Sequence, residues 1–370
     1  MPEVAGSSPV GRPIFLMRKG ALVSSWGFAD FDAHEGVHLF TDPKSGLQAV
    51  IAVHSTALGP AGGGARFWHY ADEDRAITDA LRLSRGMSYK NAMAGLPMGG
   101  GKAVVLADAG RTKTPELLKA FGRAIDSLGG RYVTAEDVGM SDQDMVVISG
   151  ETRFVAGLPV ASGQAGGNPG PYTALGIYLG IKAAAKRALG ADDMRGVHVA
   201  IQGVGSVGGG LAELLAADGA QLTLADVDAA RAAALAARLG ATVAATDEIL
   251  AVEADIVSPN ALGAILTDSA IAGLKAKVVA GGANNQLETP EDGQRLHDRG
   301  ILYAPDYVIN AGGIINVCLE YFGQGDRAEV EARIHQIPAR LDQVWDESDR
   351  TGAPAAVVAD RIAQRLIGRA

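Results

Sequence analysis

The run Gly203-Val-Gly205-Ser-Val-Gly208 constrains this chain more than any other segment. An apolar strand pattern, His198-Val-Ala-Ile-Gln202, precedes it, and a helical pattern from Leu211 to Ala217 follows. A strand that enters a helix through G-x-G-x-x-G starts a βαβ unit. The first glycine makes the tight turn, the second lets a ligand approach the backbone, and the third lets helix and strand pack closely. The helix N-terminus presents backbone N–H groups to an anion, so Gly203, Gly205, Ser206, Val207 and Gly208 are predicted to hold a pyrophosphate. Asp226 ends the next strand pattern, Gln221-Leu-Thr-Leu-Ala225, where a carboxylate accepts hydrogen bonds from ribose hydroxyls and repels a 2′-phosphate. NAD is therefore the expected cofactor, and Arg231 is the one basic residue nearby.

The alternation continues through a helix over 229–239 and short strands at Ile256-Val257 and Val278-Val279, which predicts a parallel, doubly wound sheet. At 370 residues the chain has room for two domains. The reading is a loosely held extension over 1–20, an α/β domain over 21–160, the dinucleotide-binding domain over 161–328, and helices over 329–370 packing back toward the first domain. In those last helices Ile334, Ile337, Leu341 and Val344 form one stripe. The first domain reads as a strand over 47–53, a glycine-rich loop over 58–65, a helix over 72–87 and a strand over 102–106. A further helix starts at Thr114-Pro115, and a strand at Tyr132-Val-Thr134 leads to Asp137.

Composition excludes several classes. A net charge of −9 with scattered basic residues argues against nucleic acid and anionic membranes as partners. No apolar run reaches the length of a membrane span, and no secretory signal is read, so a cytoplasmic location is expected. The single cysteine, Cys318, rules out an intrachain disulfide and reads as a packing residue. His54, His69 and His198 lack partners at metal-ligand spacing, and no metal site is predicted.

Lys90 and Lys102 enclose Asn91-Ala-Met-Ala-Gly-Leu-Pro-Met-Gly-Gly-Gly101. This spacing reads either as a flexible loop between surface lysines or as a site for a carboxylated substrate. In the second case the bare triglycine backbone faces the substrate and a lysine reaches it from either end. One ammonium would then hold a carboxylate while the other, its pKa lowered by burial and its fellow cation, does proton chemistry.

Six segments carry a resemblance to a known family: 58–66, 90–102, Thr134-Ala-Glu-Asp-Val-Gly139, Gly167-Asn-Pro-Gly-Pro-Tyr-Thr-Ala-Leu-Gly176, Ala280-Gly-Gly-Ala-Asn-Asn-Gln286 and 304–313. In order and content they resemble the glutamate, leucine, phenylalanine and valine dehydrogenases, nearest the leucine and phenylalanine branch. The resemblance implies two α/β domains, the first building a homo-oligomer and the second of Rossmann type, with the active site in the cleft between them. Cleft closure would exclude water from hydride transfer. Lys90 occupies the position that binds the substrate carboxylate, with backbone groups of Gly63 and Gly64 and the Asn285 amide. Lys102 occupies the position that activates water, and Asp137 the one that moves a proton to and from the substrate nitrogen. Thr173 and Asn260 would sit near the nicotinamide, with Asn284 beside it, and Asn310 would line the cleft.

The implied reaction is reversible NAD-dependent oxidative deamination of an L-amino acid. In glutamate-specific relatives a lysine and a serine hold the side-chain carboxylate, and the corresponding positions here are Gly62 and Val317. Ala135, Ile314 and Val317 form an apolar pocket. Gly62 stands where the leucine enzymes commonly have a leucine and is expected to leave room for an aromatic ring. Leucine, valine and phenylalanine all remain open as substrates. The rival readings are a glutamate-specific enzyme, an amine-active dehydrogenase lacking the carboxylate-binding lysine, and a non-catalytic NAD-binding regulator lacking Lys102 or Asp137. The last two conflict with the residues present.

Overall fold

The computed structural model describes residues 27–108, 110–159 and 164–369, so the extension expected over 1–20 lies outside the described residues. The chain divides into two units, the first comprising 27–88 and 97–159, the second 89–96 and the rest of the chain after 159.

The first unit contains β1 (Gly36–Asp42), β2 (Leu47–Ser55), β3 (Ala61–Gly62), β4 (Ala65–His69), most of α1 (Glu73–Met93), β5 (Gly99–Ala107), α2 (Pro115–Asp126), β6 (Tyr132–Val133) and α3 (Asp142–Ser149). Its sheet runs β1-β2-β5-β3-β6, with β4 also pairing β5. The β1–β2 and β2–β5 pairs are antiparallel, and those joining β3, β4 and β6 are parallel. Because side chains alternate along a strand, β2 and β5 feed two cores. Ile51, Val53, Ala103 and Val105 pack with Leu117, Phe121 and Ile125 of α2 on one face. On the other, Val50, Ala52 and Val104 pack with Ile77, Ala80 and Leu81 of α1. The start of α2 follows the sequence signal, with Thr114 Oγ1 accepting from the Leu117 amide at 3.2 Å and Pro115 in the first turn. Lys90, expected in a loop, is instead on the last turn of α1, and the triglycine opens β5.

The second unit contains α4 (Gly170–Leu189), β7 (His198–Gln202), α5 (Ser206–Ala217), β8 (Gln221–Ala225), α6 (Ala229–Leu239), β9 (Thr242–Val243), β10 (Ile256–Pro259), α7 (Asp268–Gly273), β11 (Val278–Val279), α8 (Pro290–Asp298), β12 (Leu302–Tyr303), α9 (Asp306–Ile309), α10 (Gly312–Tyr321), α11 (Arg327–Ile334), α12 (Ile337–Thr351) and α13 (Ala355–Leu366). Its sheet order is β12-β11-β10-β7-β8-β9, with every pairing parallel. The first strand in sequence lies centrally, the next two to one side and the last three to the other. That is the doubly wound order whose switch point, here between β7 and β10, receives a ligand.

The helices expected over 329–370 are present as α11, α12 and α13. Helix α12 lies against α4 and α9, and α13 against α8 and β12. The apolar stripe Ile334, Ile337, Leu341 and Val344 is buried as expected, and the adjacent Trp345 anchors α12 by donating to the Tyr303 carbonyl at 2.9 Å. Cys318 is buried in α10, its thiol pushed up to about 12 by burial. Among the described residues no helix is long and apolar enough to cross a membrane.

Candidate active site

Strand β5 carries Lys102 into the interior with its side chain only 6% exposed. A lone ammonium there would be costly, and Asp137 compensates it: Lys102 Nζ lies 2.8 Å from Asp137 Oδ2. Burial lowers the Lys102 pKa, with the Arg66 charge adding to the effect against the pull of Asp137 and Asp79. Burial alone would raise the Asp137 pKa, but Lys102 and Arg66 hold its carboxyl below the usual aspartate range. The pair therefore joins a readily deprotonated amine to a persistently ionised carboxylate.

Glycines allow this approach but not in the way the sequence suggests. A Cβ on Gly64 would stand 2.9 Å from Asp137 Cβ, so only glycine admits the aspartate. The triglycine, expected to offer bare backbone to a substrate, is buried by protein instead. Side chains at Gly99, Gly100 and Gly101 would meet the Ser55 carbonyl, the Ser88 backbone and the Tyr132 ring at 2.0, 2.0 and 2.7 Å. Both backbone groups of Gly63 are engaged within the protein: its N–H donates to the Val133 carbonyl at 3.1 Å, and its carbonyl accepts from the Tyr132 hydroxyl at 2.6 Å. Among the described residues Gly64 keeps its N–H uncommitted. The room expected at Gly62 is filled, because a Cβ there would fall 2.1 Å from Met98 Sδ, and Met98 is buried at the entrance to β5. Ala135, half-buried just after β6, completes the apolar residues of this unit.

In the second unit Lys90 and Asn285 are linked through Asp306. The Gln286 amide donates to Asp306 Oδ2 at 2.9 Å. Burial raises the Asp306 pKa against the opposing influence of the Gln286 amide, the Lys90 charge and the Asn285 amide. A buried carboxylate thus fixes the turn bearing Asn285, whose side chain is exposed and whose φ is +53°. Asparagine tolerates the left-handed region better than other non-glycine residues. On α10, Ile314 and Val317 are half-buried on one face, while Ile315, Cys318 and Leu319 enter the core.

The glycine turn at β7 is built as its spacing requires. Gly203 has φ +84°, and a Cβ on Gly208 would fall 1.9 Å from the Gly203 carbonyl oxygen. Gly205 caps α5, and a Cβ there would meet nothing within 4 Å; the first amides of α5, at Ser206 and Val207, have no acceptor within the helix. Asp226 Oδ2 accepts from the Val204 amide at 2.8 Å and Oδ1 from the Asp228 amide at 2.9 Å, while Arg231 Nη1 lies 3.7 Å from Oδ1. Burial would raise its pKa, but those amides and Arg231 bring it below the usual range.

Across the switch point, Asn260 is committed to the protein. Its Nδ2 donates to Ser258, and its Oδ1 accepts from the Gly282 amide at 2.9 Å, so it ties two loops together. Thr173 Oγ1 donates to the Pro169 carbonyl at 3.0 Å. Asn310 Nδ2 donates to the Gly282 carbonyl and to Asn284 Oδ1, while its buried Oδ1 has no partner among the described residues. An unmet buried acceptor calls for a donor. The residues therefore fit a dinucleotide: anionic oxygens suit the open amides of α5, and an amide donor suits Asn310.

The sequence reading assigned no role to Arg66, Asp79, Met98 or Asp306. Arg66 and Asp306 lie within segments already singled out, at the end of the 58–66 loop and in 304–313, so proximity to those motifs was the available signal. Met98 likewise lies within the 90–102 segment, whereas nothing in the sequence alone ties Asp79 to these motifs. The histidines are structural: buried His54 bonds to Ser88 Oγ, His69 to the Ala107 carbonyl, and His198 to Thr223 Oγ1.

Segments of both units match one family of known proteins. Residues 34–154 match the family described as Glu/Leu/Phe/Val dehydrogenase, dimerisation domain, and 223–367 match Glutamate/Leucine/Phenylalanine/Valine dehydrogenase. The chain is 48% identical over 328 residues to a leucine dehydrogenase of Bacillus subtilis (strain 168), covering 89% of this chain and 90% of that one. It is 48% identical over 345 residues to a valine dehydrogenase of Streptomyces coelicolor, covering 92% and 94%. The crystal structure of L-tryptophan dehydrogenase from Nostoc punctiforme superposes with a TM-score of 0.80 at 41% identity, covering 90% of this chain and 96% of that one.

Proposed function

Because the chain belongs to the Glu/Leu/Phe/Val dehydrogenase family and is thus an oxidoreductase acting on amino acids, we propose that it oxidatively and reversibly deaminates a branched aliphatic L-amino acid, leucine or valine, to the 2-oxo acid and ammonia with NAD. The observation that carries this reading is the 2.8 Å contact between buried Lys102 and Asp137. Lys90 and Asn285 hold the substrate carboxylate. A nicotinamide cofactor, when bound, accepts the α-hydrogen as hydride. Neutral Lys102 takes a proton from the water that attacks the imine carbon, and Asp137 moves the proton at the substrate nitrogen. With Gly62 and Val317 at the positions of the lysine and serine of glutamate-specific relatives, a glutamate side chain finds no partner. The decisive assay is NADH formation at alkaline pH with leucine, valine, phenylalanine, tryptophan and glutamate. Absence of turnover with all five would refute the reading.

Met98 favours an aliphatic over an aromatic substrate, since its thioether fills the space beside Gly62. Met98→Ala is expected to raise kcat/KM for phenylalanine relative to leucine by about tenfold or more, the worth of a few methylenes in an apolar pocket. The ratio is taken within one enzyme preparation, so the loss of stability from core truncation does not obscure it. An unchanged ratio would place Met98 outside the specificity pocket.

Asp226 supports NAD as the cofactor. Asp226→Ser is expected to improve kcat/KM for NADP relative to NAD by about tenfold or more, because the repulsion of a 2′-phosphate is removed and Arg231 remains. A constant ratio would mean that the ribose lies elsewhere. The protein is further proposed to act in the cytoplasm as a homo-oligomer, the first unit supplying the interface, in keeping with the dimerisation domain matched over 34–154. A monomeric mass in solution would overturn the assembly.

A further inference from the structure

We propose that Arg66 is a positioning residue that gives the two oxygens of Asp137 separate tasks: with Lys102 it clamps Oδ2, leaving Oδ1 to exchange the proton with the substrate nitrogen, while Asp79 controls how much of the Arg66 charge reaches the pair. This rests on the dehydrogenase reading above.

Both cations converge on one oxygen, Lys102 Nζ at 2.8 Å and Arg66 Nε at 3.0 Å from Oδ2. Among the described residues Oδ1 accepts no hydrogen bond. A carboxylate held by one cation still rotates about its last bond, whereas two donors from different directions fix which oxygen faces them. The backbone is fixed as well, since the Met140 amide donates to the Asp137 carbonyl at 2.8 Å. Arg66 is placed by β4, where it pairs with Val104 of β5, two residues from Lys102 on the same face of the sheet.

Arg66 is itself held from the other side. Its Nη1 lies 2.8 Å from Asp79 Oδ2, which also accepts from the Tyr70 hydroxyl at 2.5 Å, and Arg82 Nη2 reaches Asp79 Oδ1 at 3.4 Å. Asp79 is on α1, its side chain 12% exposed. The chain Lys102, Asp137, Arg66, Asp79 alternates in sign and is neutral overall while Lys102 is protonated. The neighbouring phenols contribute no change of charge near neutrality. Burial raises the phenols of Tyr70 and Tyr132, so both stay protonated. His69, farther along β4, bonds to the Ala107 carbonyl. Glu136, raised by burial and by Asp142, makes no ion pair with Lys102 or Arg66 among the described residues.

This arrangement predicts effects of opposite sign. Removing the Arg66 charge makes protonated Lys102 easier to keep, so the rising limb of deamination moves to higher pH. Removing the Asp79 charge leaves Arg66 less compensated and moves the limb to lower pH. The test uses full-length protein with NAD and the best amino acid, comparing wild type, Arg66→Gln, Arg66→Lys and Asp79→Asn by kcat/KM against pH. In parallel, competitive acetic-anhydride labelling of Lys102, quantified by peptide mass spectrometry, follows its titration without turnover. Opposite displacements are expected in both readouts, with kcat of Arg66→Gln reduced about tenfold or more and KM little changed. Arg66→Lys should restore the position of the limb but not kcat, because one ammonium cannot span Asp137 and Asp79. Displacements of the same sign, or none, would overturn the proposal even if Tm falls, since a residue that merely braces the turn has no reason to move the two titrations apart. If Arg66→Gln does not fold, Asp79→Asn and Arg66→Lys carry the same test. Wild-type protein without turnover would sink the dehydrogenase reading instead, and labelling would still decide whether Arg66 and Asp79 act on Lys102.

Discussion

Lys102→Met is expected to lower kcat for deamination by about a thousandfold, within the range for loss of a positioned acid–base group, while leaving the protein folded. Methionine matches the length of lysine and suits the buried end of β5, and Asp137 keeps the Arg66 guanidinium at 3.0 Å, so its carboxylate is still paired. The same lysine sets the sign of the pH response. Water attack needs the neutral amine, and burial lowers the Lys102 pKa, so deamination should rise with pH along a limb centred below the ordinary lysine value. Asp137, held low, stays ionised throughout. Steady-state kinetics with circular dichroism on the variant checks both points; a Lys102→Met enzyme of near-normal kcat would remove the lysine from the chemistry.

The glycine turn of the second unit should show two different glycine requirements. Gly208→Ala drives a methyl group to within 1.9 Å of the Gly203 carbonyl, which cannot retreat without unwinding the turn after β7. Tm should fall by about 5 °C or more, from an overpacking cost of about 1–3 kcal/mol, and NADH affinity should fall with it by about a hundredfold. Gly205→Ala meets nothing within 4 Å and has φ −69°, so Tm should stay nearly constant. Its methyl group nevertheless enters the space before the α5 amides, and NADH affinity should fall by about tenfold or more. Thermal melts and NADH fluorescence titrations separate the cases. Equal losses of Tm would mean that Gly205 is a packing residue, and unchanged NADH affinity in Gly205→Ala would move the pyrophosphate off this turn.

The second unit was largely legible in the sequence because each of its elements announces itself locally. Apolar runs such as Val199-Ala-Ile201 are buried in parallel strands, and Ala-rich helices are bounded by glycines such as Gly190 and Gly240, both with positive φ. The first unit was less legible. Strands β1 and β4 mix polar and aromatic residues, as in Ala65-Arg-Phe-Trp-His69, and their place in the sheet depends on partners distant in sequence. The chemistry of Lys102 and Asp137 followed from residue type and resemblance, but their common contact through Oδ2, the arginine behind it and the methionine over Gly62 are matters of packing. Periodicity describes one element at a time. It says nothing about which atom of a side chain meets a residue seventy positions away.

The buried triglycine also bears on how descendants of this chain would be judged. Gly99, Gly100 and Gly101 answer to the Ser55 carbonyl, Ser88 and the Tyr132 ring, all parts of the protein's own framework. A lineage that abandoned catalysis would still have to keep them in order to fold. Their retention would therefore be silent about activity, and a degenerate, inactive copy would be recognised by the loss of Lys102, Asp137 or Arg66 from an otherwise intact glycine-rich segment.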